Sequence, residues 1–309
     1  MSTTEAEARP SAHARELLLG AYDLHVHIAP DLIPRSSTDV AVAQRFAEWG
    51  MAGFVLKSHY VPTAERAEVV RATVPAVRVL GSLALNAGVG GLNPLAVEIA
   101  ARQGARIVWL PTVDAENEAI HLAHNPGAKR AAWAAMQDEF SSLGIYRGPV
   151  RVVESGRIRP ELGEVLDVVA AHDVVLATGH LSRDEIFIVA DAAIVAGVGA
   201  LVITHPDYPT QRLSIDDQRR LAKQGAVLER CLVPLLAGKA SWEHVFAGIR
   251  ATGVESNVLS TDLGQVGNPP VEDGLALWVD RLVEAGFADD EIRTMAVTNT
   301  RRLGGERDG

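Results

Sequence analysis

Apolar residues fall along this chain in short runs separated by stretches with helical spacing. The first run covers 21–28 and carries Asp23-Leu24-His25-Val26-His27. Residues 38–50 then place Val40, Ala43, Phe46 and Ala47 at helical intervals, with Gly50 where a helix would stop. Gly53-Phe54-Val55-Leu56 is a second apolar run, so the opening reads as a βαβ unit. The unit recurs. Runs at 76–85 and 105–110 flank a helix over 94–103; beyond a helix over 160–172, runs at 174–178, 200–204, 226–229 and 257–260 alternate with helices over 183–196, 215–224 and 242–251. Helices over 272–285 and 289–298 end the pattern. Near-continuous apolar strands alternating with amphipathic helices predict a parallel sheet covered by helices. Eight such units favour an α/β fold of the (β/α)8 TIM-barrel type over an open doubly wound sheet. No Gly-x-Gly-x-x-Gly follows the first strand, so a dinucleotide site lacks its signature.

The predicted organisation is a tail and short helix over 1–19, one barrel over 20–304 and a short tail over 305–309. Residues 115–149, after the fourth strand, are too many for an ordinary βα loop. They are expected to form an insertion with a helix near 129–143, followed by a hairpin whose firmest strand is 150–154. Insertions at that end of a barrel tend to cover an active site.

Composition narrows the class. With 48% hydrophobic and 22% charged residues in 309, the chain has ample core, and no apolar run approaches the roughly 20 residues a bilayer span needs. A net charge of −10 argues against a nucleic-acid binder, which needs clustered Lys and Arg. The N-terminal stretch has acids and no continuous apolar centre, so a cytoplasmic protein is expected. Its expected partners are a small-molecule substrate and further copies of itself, with neither nucleic acid nor membrane. Cys231 is the only cysteine, which excludes an internal disulfide and a multi-thiolate zinc site. Any metal is then left to His, Asp, Glu or a modified Lys.

The unusual polar residues sit where apolar strands end. In a parallel barrel those ends open on one face, so His25, His27, Lys57, His59, His180, His205 and Asp262 should converge on one cavity. Side chains two apart on a strand point the same way: His25 and His27 should project together, with Leu24 and Val26 opposite. Two imidazoles on one strand are half of a divalent-metal site. Singly, His180 or His205 reads as a hydrogen-bonded loop histidine and Asp262 as a turn cap; their joint placement points to a metal centre. Lys57 reads as a ligand, or as a cation for Asp262 or a substrate carboxylate, and His59 on the same face as a ligand or substrate contact. Glu229 is a candidate partner behind the ligands. His121 and His124 are pocket candidates in the insertion, while His13, His172 and His244 read as surface residues.

This constellation resembles the amidohydrolase superfamily of metal-dependent hydrolases. The matching residues are His25-Val26-His27, His180, His205 and Asp262, with Thr298-Asn299-Thr300-Arg301-Arg302-Leu303-Gly304 similar to the segment that often ends these barrels. The likeness covers about 20–304. Leu56-Lys57-Ser58-His59, Val108-Trp109-Leu110-Pro111-Thr112 and Ala177-Thr178-Gly179-His180 look like a subgroup of amidohydrolase-related proteins.

The resemblance implies one or two divalent ions, Zn2+ ahead of Mn2+ or Fe2+. They would be held by His25, His27, His180, His205 and Asp262, with Lys57 a candidate bridge. It implies catalytic roles for Asp262 and His205; their placement adds Lys57 to these and makes His59, Glu229 and, in the insertion, His121 candidate substrate contacts. Dinuclear members usually carry a carboxylated lysine or an acid after the fourth strand; here that strand ends Leu110-Pro111-Thr112-Val113-Asp114. The site is therefore mononuclear, or bridged by Lys57 or by Asp114. The implied reaction is hydrolysis of an amide, cyclic amide, lactone or related bond. The alternatives are decarboxylation or deamination and, in another class, a non-catalytic metabolite-binding barrel.

Overall fold

The structure, a computed structural model, describes residues 9–125, 132–146, 148–211 and 213–306. Eight parallel strands pair in sequence order: β1 (Tyr22–Val26), β2 (Gly53–Leu56), β3 (Arg78–Ala84), β4 (Ala105–Trp109), β5 (Val175–Ala177), β6 (Leu201–Thr204), β7 (Val227–Cys231) and β8 (Asn257–Ser260). Past the last ladder pairs, the Asp262 N–H donates to the His25 carbonyl (2.8 Å) and the His27 N–H to the Leu263 carbonyl (2.7 Å), which brings β8 against β1. The buried Asp23 carboxylate braces this seam, accepting from the Thr261 N–H (3.1 Å) and hydroxyl (2.5 Å). A side chain at Gly264 would strike the His27 carbonyl, so the seam also requires glycine there. The expected barrel is thus present.

Leu24, Val55, Ile107, Val175, Val202 and Val258 fill the barrel interior, while the outward faces of the strands pack under the helices through residues such as Phe54, Val108 and Ile203. Burial on both faces explains why the strands are apolar throughout rather than alternating. One detail departs from simple alternation. Leu24 belongs to the interior and Val26 to the outer layer, not to a common side, because the β1–β2 register shifts between Asp23 and Val26. Such an irregularity re-aims side chains near a strand end, and here it turns His25 into the barrel mouth.

The predicted helices are found at Asp39–Glu48, Pro94–Arg102, Pro160–Ala171, Arg183–Val195, Ile215–Lys223, Trp242–Thr252 and Val271–Glu284. Ser182 and Ser214 start theirs with reciprocal capping boxes. A helix at Ala64–Thr73 was not predicted; only Ala64, Ala67 and Val70 are buried while Val69 is exposed, which blurs the apolar spacing. The insertion holds two helices rather than one, Glu116–His124 and Ala132–Ser142; the expected start at 129 lies outside the described residues. Its strand is shorter than expected: Val153–Glu154 pairs with Arg157–Ile158, and Val150 makes only a single bridge to Ala115.

The base of the barrel is closed by the last helical stretch. The Asn299 side-chain amide donates to the carbonyls of Val254 (3.1 Å), Glu255 (3.2 Å) and Asn257 (2.8 Å), and the Thr300 hydroxyl takes the Tyr22 N–H (3.2 Å). No described helix is long and apolar enough to cross a membrane.

Candidate metal centre

The strand ends deliver their polar residues to one place, and the His25 ring is its hub. His25 Nδ1 lies 3.1 Å from Glu229 Oε1, and Nε2 lies 2.8 Å from Lys57 Nζ and 3.1 Å from Asp262 Oδ1. His27 Nε2 is 3.2 Å from the same oxygen, and His205 Nε2 is 3.7 Å from Asp262 Oδ2. His205 and Asp262 both leave their strands with left-handed backbone, φ 51° and 58°. That conformation is uncommon outside glycine and is typical of side chains held for function.

Each charge has a physical cause. Burial alone would raise Asp262, but the adjacent His25 and the hydrogen bonds from His25 and His27 hold it well below the usual carboxylate range. Burial holds His27, His59 and His205 well below the ordinary imidazole value, which favours the neutral, ligating form. His25 is also pushed down by burial and by Lys57, yet Asp262 and Glu229 outweigh both and leave it raised. Lys57 is lowered, chiefly by burial, against the pull of Asp262 and Glu229.

The donor set fits a divalent cation. One atom each from His25, His27 and Asp262 lie within 4.8 Å of one another, in a buried pocket of two imidazoles and a carboxylate. A second group, His25, His205 and Cys231, also gathers within that distance, so the thiol set aside on sequence grounds is within reach of the centre. Burial keeps the Cys231 thiol well above its usual pKa, which disfavours the thiolate a metal would need. His180 stands apart: its Nδ1 is 3.2 Å from Glu118 Oε1, without the alignment of a hydrogen bond, and its ring lies 5.6 Å from that of His205.

Several expected residues are placed differently. Asp114 accepts from the Ala87 N–H (2.8 Å) and from Gln137, so it ties the turn after β3 to the insertion and does not join the histidines. His121 is half-buried on the insertion helix and outside the cavity lining; the same helix presents Glu118 instead. His124 bonds its own helix at the Ile120 carbonyl (2.7 Å). Glu229 sits behind His25, 2% exposed, with Oε1 3.1 Å from the His25 Nδ1, and is not among the residues that line the cavity. His59 does line the cavity, with Nδ1 2.9 Å from Thr112 Oγ1, itself bonded to Asn86 (2.7 Å). His13 and His172 pair with Asp289 and Glu98 away from the mouth.

The cavity above the histidines is about 430 Å³. Sequence reading missed Arg35, Glu118, Tyr208 and Lys239 on its walls. Asn86 carried a signal, opening a Gly-rich turn at the end of β3; Arg35 and Lys239 carried none, since their loops show no periodicity.

The fold is shared with solved structures that are distant in sequence. An amidohydrolase from Pseudomonas aeruginosa is 11% identical with a TM-score of 0.61, the likeness covering 95% of this chain and 99% of that one. A TatD homolog from Escherichia coli is 16% identical with a TM-score of 0.52, over 93% and 98%. A 2,6-dihydroxybenzoate decarboxylase from Rhizobium is 13% identical with a TM-score of 0.51, over 92% and 97%. No curated protein matches the sequence. The barrel is thus that of amidohydrolase-type structures, and by its sequence over residues 20–229 the chain belongs to the family of unknown function DUF6282.

Proposed function

We propose that this protein is a metal-dependent hydrolase that cleaves an amide, cyclic amide, lactone or related bond in a small molecule. The observation that carries the reading is the convergence of His25, His27 and Asp262 on one buried point at the open end of the barrel. Their nitrogen and oxygen donors suit zinc ahead of manganese or iron, and such an ion supplies Lewis acidity and lowers the pKa of a water towards neutrality. The chain's own residues do the rest. Glu229 fixes the His25 ring through Nδ1. Asp262, kept ionised by its histidines, accepts the proton of the attacking water and returns it to the leaving group. His205 faces the cavity beside Asp262, where its ring can polarise the carbonyl under attack.

Decarboxylation of a small acid is the second reading. It is favoured by one feature, the Lys57 ammonium standing in the cavity with no carboxylate within ion-pair distance among the described residues.

Elemental analysis and turnover of Asp262→Asn test both readings. Stoichiometric metal that is lost in His25→Ala, with activity on a lactone and cyclic-amide panel falling about 10²–10⁴-fold in Asp262→Asn, is expected. An active Asn variant would remove the proton-carrying role. CO2 release without water uptake would select the second reading. Protein that takes up no zinc, manganese or iron would leave a non-catalytic binding barrel.

A further inference from the structure

Two cations on the cavity wall are unused by that chemistry. Arg35 follows β1 and Lys239 follows β7, while Val266 follows β8; β7, β8 and β1 are neighbours around the barrel, so these residues stand on one continuous wall. Arg35 is nearly buried and is aimed by Asp31, which takes its Nε at 2.8 Å and Nη2 at 2.7 Å. That Nη2 lies 3.5 Å from His27 Nδ1, so the guanidinium borders the metal trio. Lys239 is exposed at the rim. It donates to the Tyr208 hydroxyl and lies over its ring at 4.9 Å, and no carboxylate pairs with it among the described residues. The acids that face the cavity, Asp262 and Glu118, are both engaged with histidines. Ile33, Trp133, Val233 and Val266 supply apolar surface on the rest of the wall, beside His59, Tyr208 and Gln265.

We propose that the substrate carries a carboxylate that does not react, received by Lys239 and Arg35, on a compact apolar body that packs against Val233, Val266 and Trp133. This names the substrate class of the reading above and rests on it for the identity of the reacting end. Charge supports the preference: of the three lining cations Arg35 is ion-paired with Asp31 and Lys57 meets His25, while Lys239 has no carboxylate partner among the described residues, so an anionic group is the ligand chemistry that would complete the wall. Volume sets the scale, since about 430 Å³ lies near the lower end for small-molecule sites.

The test uses the full chain, with benzoate and phenylacetate as probes and benzamide as the neutral counterpart, followed by calorimetry. Carboxylate binding about tenfold weaker in Lys239→Met, retained in Lys239→Arg, and absent for benzamide is the expected result. Arg35→Gln should weaken it further, with metal content unchanged. Carboxylates that bind Lys239→Met as well as the parent, benzamide that binds equally, or a failure of both carboxylates to bind would overturn the proposal. Each titration is repeated after chelation. Binding that persists without metal keeps the carboxylate pocket even if the hydrolase reading fails; binding abolished by chelation but insensitive to Lys239 places the anion on the metal and rejects the pocket.

Discussion

The two ends of the barrel bury polar groups to opposite effect. At the base, Asn299 spends its amide on three backbone carbonyls and Arg106 donates to the Leu303 carbonyl at 2.6 Å. At the mouth, His180 Nδ1, His205 Nδ1 and Glu229 Oε2 are buried without a hydrogen-bond partner among the described residues, and the charged residues crowd one another. A buried polar atom left unsatisfied costs about 1–3 kcal/mol. The base therefore looks like a place where polarity was used to hold the fold, and the mouth like one where stability was given up to keep side chains free for a ligand.

The contrast breaks most visibly if one residue from each end is removed. Asn299→Ala should cost about 2 kcal/mol, since the two N–H groups shared among three carbonyls are lost, one of those bonds buried and two part-buried. Turnover per folded molecule should be unchanged. His205→Ala should do the reverse, abolishing turnover while costing less than about 1 kcal/mol, because its Nδ1 has no hydrogen-bond partner among the described residues to lose. Urea unfolding beside activity measures both; a His205 variant as unstable as the Asn299 variant would show that the mouth is structural after all.

How much of this was legible in the sequence follows from what each feature depends on. The strands announced themselves because burial on both faces leaves uninterrupted apolar runs, and His25, His27, His180, His205 and Asp262 stood out as ligand-type residues at the ends of such runs. The helix Ala64–Thr73 was hidden because it buries little beyond two alanines and Val70. Glu118 and His121 illustrate a different limit: both are on one insertion helix, and only its docking onto the barrel decides that Glu118 reaches the cavity. The seam is a third case. Asp23 looks in sequence like part of the ligand motif, yet its carboxylate is spent on Thr261. The β1 register shift that separates Leu24 from Val26 is likewise a property of pairing, which no single strand encodes.

Glu229 sharpens the comparison because it belongs to the mouth but behaves partly like a residue of the base. One oxygen holds His25 Nδ1 at 3.1 Å and the other has no hydrogen-bond partner among the described residues. Glu229→Gln keeps the shape and removes the charge that favours a proton on Nδ1, so metal affinity should fall about 10–100-fold with little loss of stability. A metal titration in competition with a chelator reads this. Unchanged affinity would mean that the ring is oriented by packing against Trp109, 5.4 Å away, and not by the carboxylate.

The smallest effect belongs to a carboxylate in the helical shell, where every bond is structural. Asp217 accepts from Arg183 Nε (2.9 Å) and Nη2 (2.6 Å) and closes the capping box with Ser214. Hydrogen bonds from Arg183 lead the forces that lower its pKa to about 2, against 3.8 unperturbed. The sign follows: the folded state holds the ionised form more tightly than the unfolded chain does. The stabilisation is therefore complete at neutral pH, begins to be lost below the unfolded value, and disappears as pH falls through about 2. Half-exposed Arg183 limits its size, so Asp217→Asn should cost about 1 kcal/mol at pH 7. The gap to the parent should be narrower at pH 3. Asp262 is also held low, so its ionised form likewise favours the folded state, but the histidines that hold it belong to the candidate centre, and its Asn variant should lose turnover as well as that pH-dependent stability. Denaturation of both variants at the two pH values, beside turnover per folded molecule, decides it: an Asp217→Asn variant that loses turnover, or an Asp262→Asn variant that keeps it, would erase the distinction between a carboxylate that serves only the fold and one that serves the centre.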